Sequence, residues 1–484
     1  MPCHCRPLLA LIALPFLAWP LVAQTPITLP EAIRLAQSNG YRARAALAAR
    51  DAARFTDRAF YSRLLPQLSL GGTLPSYNRS IIQVLQPDGS TLFRPQDQVN
   101  SSLTATISQS LPLTGGDLFV SSSLARLSVS GQQSLRTWSS TPVTVGLRQP
   151  IFRPNSRGWD RREQPVRFEL AERQYREARE AIALQTTNLF FDVYSARVEF
   201  DNATENAAVN DTLYTLNKGR YEVGKIGEDD LLQSELALLR ARTSADGARL
   251  QLERALAALR LALNLPPDDP AEIVAPTDVP QFEPDTARAV TEALRNRASA
   301  SDAELQAVQA RRRVTEAKLN NGLGATVEAS YGFNATGPGV NAAYQNLLEA
   351  RQFILSVQVP LIQWGARKEA VQAAEADRER VANTTRSNLE EIAQEAHFVA
   401  LELPQARRNL ALSAKADTVA GRRFDVAYNR YVIGRIAIDN LYLAQSEKNA
   451  AVTQFVQALR GYWTTHFRLR LVTLFDFEAG EGIR

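Results

Sequence analysis

Between residues 325 and 336 apolar and polar side chains alternate without a fault. Ala325, Val327, Ala329, Tyr331, Phe333 and Ala335 take one side, and Thr326, Glu328, Ser330, Gly332, Asn334 and Thr336 the other. Successive side chains of an extended chain point to opposite faces, so the pattern predicts a strand with one apolar and one polar face. The same period recurs at 353–361, where Phe353, Leu355, Val357, Val359 and Leu361 oppose Gln352, Ser356 and Gln358, with Ile354 as an exception. It recurs again where Val143, Val145 and Leu147 oppose Thr144, Gly146 and Arg148, and where Leu103, Ala105 and Ile107 oppose Thr104, Thr106 and Ser108. Residues 66–74 and 116–130 are weaker cases. Strands of about ten residues that are polar on one side suit a barrel wall with lipid outside and water within. A soluble antiparallel sheet with one solvated face shows the same alternation.

Elsewhere the period is helical. Residues 30–63, opened by Pro30 at a first-turn position, and residues 285–320 are dense in Ala, Leu and Arg, and each is predicted to form a helix. Residues 166–219 are rich in Glu, Arg, Ala, Leu and Gln behind the breakers Pro154, Gly158 and Pro165, and would extend about 80 Å as one helix. The counterpart is 366–433, where Leu389, Ile392, Ala396, Val399, Leu403, Ala406 and Leu410 step by three and four. A returning helix follows with Leu441, Gln445, Lys448, Val452, Phe455, Leu459 and Tyr462. Such spacing packs helices side by side with a slight supercoil. Pro404, inside the pattern, predicts a kink or a local break. The prolines at 266, 267, 270, 276, 280 and 284 make 264–284 read as an extended linker.

The chain is a tandem duplication. The stretch from Arg220 to Leu231 returns 210 residues later from Arg430 to Leu441, sharing an Arg-Tyr pair, a β-branched residue before Gly, a base after it, then Ile, Asp and Leu. Each glycine, Gly224 and Gly434, lies between long helical patterns and is expected to end one helix in the left-handed conformation, so that each copy is the bend of a long antiparallel hairpin. The helices before the strands match at an offset of 257, through Ala32, Ile33, Ala36 and Asn39 against Ala289, Val290, Ala293 and Asn296. The offsets 257 and 210 differ by 47 residues, the length of one extra hairpin, supplied by strands near 98–113 and 116–131 joined through Thr114, Gly115 and Gly116. The expected order is a first repeat at 24–265 with a helix, four strands and a hairpin bending near 220–231, a linker at 266–284, and a second repeat at 285–484 with a helix, two strands and a bend near 430–441.

Residues 1–23 read as a secretory signal peptide: Arg6, an apolar run from Leu8 to Val22 broken by Pro15 and Pro20, and Ala23 before the cut. Processing would remove Cys3 and Cys5, the only cysteines, leaving no disulfide, thiolate nucleophile, cysteine metal site or lipid-anchored cysteine. The formal charge of +4, spread along the chain, argues against nucleic acid as a partner. No later segment has eighteen consecutive apolar residues, so any membrane crossing would use strands. His397 and His466 fall singly on helical patterns, and no nucleophile motif, phosphate loop or metal-ligand cluster stands out. No catalytic, cofactor or metal site is therefore expected.

The two Arg-Tyr-x-(Val/Ile)-Gly motifs, the Asp and Leu that follow them, Leu64-Leu65-Pro66-Gln67-Leu68 entering the first strand, and the twofold repeat of helix, strands and long hairpin together resemble the TolC-type outer-membrane efflux proteins, the outer membrane factors. The resemblance covers the mature chain. It implies a mostly α fold with a transmembrane β-barrel portion: a homotrimer whose duplicated helical hairpins form one α-barrel through the periplasm, capped by a shared β-barrel in outer-membrane lipid. It further implies a passive, non-enzymatic duct in a Gram-negative-type cell, carrying small molecules such as drugs or toxic compounds from an inner-membrane pump and a periplasmic adaptor. A duct for type I protein secretion is the alternative within the family, and a periplasmic adaptor or structural coiled-coil protein the alternative outside it.

Carried over by position, the adaptor-docking tips are Val223, Gly224, Lys225 and Ile226, and Ile433, Gly434, Arg435 and Ile436. Gly227 and Ala437 stand where the family usually has Ser or Thr, and Asn440 where some members have an acid lining the closed mouth. With Asp439 beside it and Asp229 and Asp230 in the first repeat, an acidic ring from three copies would attract cations. The same side chains could simply stabilise the starts of the returning helices. If the extra hairpin joins the wall, three copies of six strands would give 18 strands instead of 12.

Overall fold

The computed structural model describes residues 26–131, 134–276 and 278–483, so the segment read as a signal peptide lies outside the described residues. In chain order the elements are β1 (Ile27–Thr28), α1 (Leu29–Asn39), α2 (Tyr41–Arg63), the strands β2 (Gln67–Leu85), β3 (Thr91–Leu111), β4 (Gly116–Ser130) and β5 (Leu135–Ile151), then α3 (Ser156–Glu222) and α4 (Glu228–Leu263). After β6 (Ile273–Val274) come α5 (Thr286–Asn296), α6 (Ala298–Asn320), β7 (Gly324–Gly337), β8 (Leu348–Gln358), α7 (Ala366–Val432) and α8 (Ile438–Thr473). A short β9 (Phe475–Asp476) and β10 (Glu481–Gly482) close the chain.

The duplication is visible in the helix boundaries. α3 and α7 each hold 67 residues and α4 and α8 each 36, with starts 210 apart. α1 and α5 hold 11 and α2 and α6 hold 23, with starts 257 apart. The helix expected over 30–63 is thus two helices, and so is the one over 285–320. The breaks fall at Gly40 (φ −62°, ψ 145°) and Arg297 (φ −62°, ψ 142°), an extended conformation open to any residue. Packing is the reason: α1 turns inward and buries Leu29, Ala32, Ile33 and Ala36, whereas α2 buries only Ala43. One straight helix could not do both.

The long helix begins at Ser156, ten residues before the expected start, because the Asn155 side chain accepts a hydrogen bond from the Gly158 N–H (2.8 Å) and caps it. Pro165 then lies inside α3, and α7 continues through Pro404, so of the expected kink or local break the helix shows no break. At 1.5 Å per residue these helices are about 100 Å long. Residues 264–284 are not a free linker. β6 pairs in parallel with β1, and Leu265, Ala275, Val279 and Phe282 pack on the main core. The Tyr462 hydroxyl donates to the Pro280 carbonyl (2.9 Å). Prolines remove backbone donors, but their neighbours still bury apolar surface.

The main core lies among α1, α3, α4, α7 and α8, where Phe190, Phe191, Leu259, Leu403, Leu459 and Tyr462 are fully buried. Away from it, six strands form one antiparallel sheet in the order β2-β3-β4-β5-β7-β8, four from the first repeat and two from the second. They are longer than the ten residues expected, reaching 19 in β2 and 21 in β3, since their outer parts lose the apolar alternation that marks a strand in sequence. β2 and β8 are edges with no neighbour on their far sides among the described residues. No helix among the described residues is long and apolar enough to cross a membrane.

Candidate functional site

Both bends are built by the same device. At the end of α3 the Gly224 N–H donates to the Tyr221 carbonyl and the Lys225 N–H to the Arg220 carbonyl, both at 2.9 Å. At the end of α7 the Gly434 N–H donates to Tyr431 (2.9 Å) and the Arg435 N–H to Arg430 (2.8 Å). This paired closure needs a residue in the left-handed region, and both glycines have φ +71°. The space around each is open, so the backbone angle alone demands glycine. Gly227 and Ala437 then take the N-cap positions of α4 and α8 without a side-chain cap, and Glu228, Asp229 and Asp230, or Asp439, supply negative charge to the first turn.

Alike in their shared motif, the bends differ in surroundings. Tyr431 is 5 % exposed in a small cluster with Leu213, Phe424, Ile438 and Leu441, whereas its counterpart Tyr221 is 40 % exposed. The Tyr431 hydroxyl donates to Asn217 Oδ1 (2.7 Å). Arg220 lies over the Tyr431 ring, 5.1 Å from its centroid, and donates to the carbonyls of Val432 (3.1 Å) and Tyr431 (3.4 Å). Gln233 Nε2 donates to Asp439 Oδ1 (3.0 Å). The first hairpin therefore holds the second through four hydrogen bonds and one cation–ring contact. The counterpart pair Arg430 and Tyr221 makes no such contact among the described residues.

Lys225, Ile226, Ile433, Gly434 and Ile436 line one groove of about 610 Å³ between the bends, with Arg220, Asp230 and Tyr431 among its other walls. Val223 and Ile433 point their apolar side chains into solvent at the extreme end. Of the acid candidates, Asp229, Asp439 and Asn440 are exposed and Asp230 is half-buried. Asn217, Arg220, Gln233 and Tyr431 escaped sequence reasoning as contacts, although the repeated Arg-Tyr pair contained two of them.

The six-stranded sheet presents a broad exposed apolar surface. The register carries an apolar row across the sheet through Leu68, Ile107, Val120, Val145 and Tyr331. One step away on the opposite face runs Ser69, Thr106, Ser121, Thr144 and Gly332. Much of the apolar face is bare: Leu68, Phe353 and Leu355 remain more than half exposed. A sheet apolar on one side and hydroxylated on the other matches a wall between lipid and water.

No group of His, Cys, Asp and Glu among the described residues could hold a metal. His397 is exposed. His466 is buried among Phe282, Tyr462, Trp463 and Phe467, and burial, with the Arg470 charge beside it, pushes its imidazole down to about 4.

The family model described as "outer membrane efflux protein" matches residues 32–265. No curated protein matches the chain in sequence. Among solved structures, the CmeC outer membrane channel of Campylobacter jejuni superposes with a TM-score of 0.68 at 15 % identity, covering 99 % of this chain and 96 % of that one. The outer membrane protein VceC of Vibrio cholerae gives 0.64 at 15 % identity, covering 94 % and 97 %. The MtrE outer membrane channel of Neisseria gonorrhoeae, in its open state, gives 0.64 at 15 % identity, covering 95 % and 90 %. At such identities the likeness is one of fold, and it extends through both repeats.

Proposed function

The chain belongs to the outer membrane efflux protein family, and on that premise we propose that three copies form a passive export duct, with a shared β-barrel in the outer membrane and a helical tube about 100 Å long reaching into the periplasm. The observation that carries this reading is that both layers of the chain end in unfinished walls. The sheet stops at β2 and β8, and β8 runs opposite to β2, so copies can join edge to edge in antiparallel register. The helices contact one another in the order α4-α3-α8-α7, and the flanks leave apolar side chains in solvent: Leu232, Leu236 and Leu239 on α4, Leu412, Val419 and Val426 on α7. Each layer is completed by another copy of the same chain.

In this reading the bends close the periplasmic end, and Val223–Ile226 and Ile433–Ile436 are the surface where a periplasmic adaptor docks and couples the duct to an inner-membrane pump. The groove between the bends, with apolar Ile226, Ile433 and Ile436 beside Lys225, offers a mixed surface of the kind a helical hairpin can enter. The cargo is small molecules such as drugs or toxic compounds. A cell lacking the chain should accumulate a fluorescent cationic dye, and the wild-type chain should restore export. A Gly434→Asp variant, which deforms one bend, should not restore it although it reaches the outer membrane. Equal dye levels with and without the chain would contradict the efflux reading.

A further inference from the structure

We propose that the barrel of this duct has 18 strands, six from each copy, with the β3–β4 hairpin as part of its lipid-facing wall; the count rests on the trimeric reading above. Three observations carry it. β3 is paired on both sides, to β2 from Gln67 onward and to β4 from Asp97 to Leu111, and β4 is paired in turn to β5. Lifting the hairpin out of the sheet would strip both partners of backbone hydrogen bonds in surroundings where water cannot replace them.

The second observation is the height of the apolar band. Strands tilted by about 40° cross a 25 Å apolar layer in roughly ten residues. Counted from the end nearest the helices, β2 offers Leu68, Leu70 and Leu74 over that span, β5 offers Val143, Val145 and Leu147, and β8 offers Phe353, Leu355 and Val357. In the same span and on the same face, the hairpin offers Leu103, Ala105 and Ile107 from β3 and Leu118, Val120 and Leu124 from β4. Just beyond it the face carries the polar pair Ser101 and Arg126. A hairpin that lay in the lumen or over the mouth would have no reason to carry an apolar band on the same face as its neighbours.

The third is the inner face. The polar side chains and glycines of that face, Ser69 in β2, Thr144 in β5, and Ser330 and Gly332 in β7, continue through the hairpin as Thr104, Thr106, Ser121 and Ser123. Larger side chains stand on this face too: Arg148 pairs with Glu328 (2.9 Å), and Phe119 stands against Gly146. With strands 4.8 Å apart and tilted by about 40°, closure gives a backbone diameter of about 24 Å for 12 strands and about 36 Å for 18. The barrel is then too wide to sort its cargo by size, and selection falls to the helical bends.

Single cysteines carrying a nitroxide test the wall directly in membrane-embedded protein. At Ala105→Cys and Val120→Cys the label should meet dissolved oxygen, which concentrates in lipid, in preference to a water-soluble nickel chelate. At Thr104→Cys and Ser121→Cys the preference should reverse. All four labels open to the chelate would overturn the proposal. Electron microscopy of the wild-type particle gives the count independently. A threefold barrel of 12 strands would overturn the proposal and leave the trimer standing, whereas a particle without threefold symmetry would overturn the trimeric reading and the count together.

Discussion

Replacing Arg220 by Ala removes the guanidinium by which the first bend holds the second. Its main acceptor, the Val432 carbonyl at 3.1 Å, lies in the last turn of α7, where carbonyls lack helical partners and the helix dipole is negative. The same group stands 5.1 Å from the centre of the Tyr431 ring. Because Arg220 is half exposed, the charged hydrogen bond is worth about 1 kcal/mol and the ring contact about 0.5 kcal/mol. If the bends of three copies open together, the closed state loses roughly 3 to 4.5 kcal/mol, a shift of two to three orders of magnitude in the opening equilibrium. Arg435→Ala is the matched control, removing an equal charge from a tip side chain that holds no partner among the described residues. Single-channel recording in planar bilayers should show Arg220→Ala opening far more often than wild type, with Arg435→Ala near wild type. Equal opening in both variants would mean that bend charge, not the Arg220 contact, keeps the mouth shut. No change in either would refute the latch.

Three further outcomes follow from the same structure. Gly434→Ala forces a side chain to φ +71° with no clash to relieve, so thermal unfolding should show a loss of about 1 to 2 kcal/mol, whereas Gly461→Ala inside α8 should gain up to about 1 kcal/mol. His466, held neutral with its ionisation lowered from 6.5 to about 4, binds its proton more readily once unfolded; stability is therefore whole above pH about 6.5 and falls by roughly 3 kcal/mol as pH drops to 4, a dependence that His466→Phe should remove from urea titrations. Leu355→Arg, on the lipid face, should cost roughly 2 to 4 kcal/mol per copy and empty the outer-membrane fraction, while Ser356→Arg on the facing side should still insert.

The fold class was legible because two periods carry it. Alternation marked the apolar stretch of each wall strand, and the three-four step marked the long hairpins, so strands and helices separated cleanly. What stayed hidden depends on partners far along the chain. Nothing local tells that α1 must turn away from α2 at Gly40, because the cause is the core waiting for Leu29 and Ile33. The proline-rich stretch looked like a free linker until Tyr462, 182 residues further on, was seen bonded to Pro280. The outer parts of β2 and β3 lie past the apolar band and carry no clear alternation. At the bends, the duplication gave both glycines and their turn. It could not give the inequality between Tyr221 and Tyr431, since the same Arg-Tyr pair stands in both repeats and only packing decides which ring is covered.

The central claim is that one chain holds a third of a wall. Single-particle electron microscopy of the detergent-extracted wild-type protein tests it most directly. The expected particle is threefold, with a detergent-ringed barrel at one end and a tube of paired helices about 100 Å long at the other, its seams formed by β2 against β8 and α4 against α7. A monomer, or a particle that stays dispersed without detergent, would contradict it, and the alternating strands would then be an ordinary sheet with one wet face.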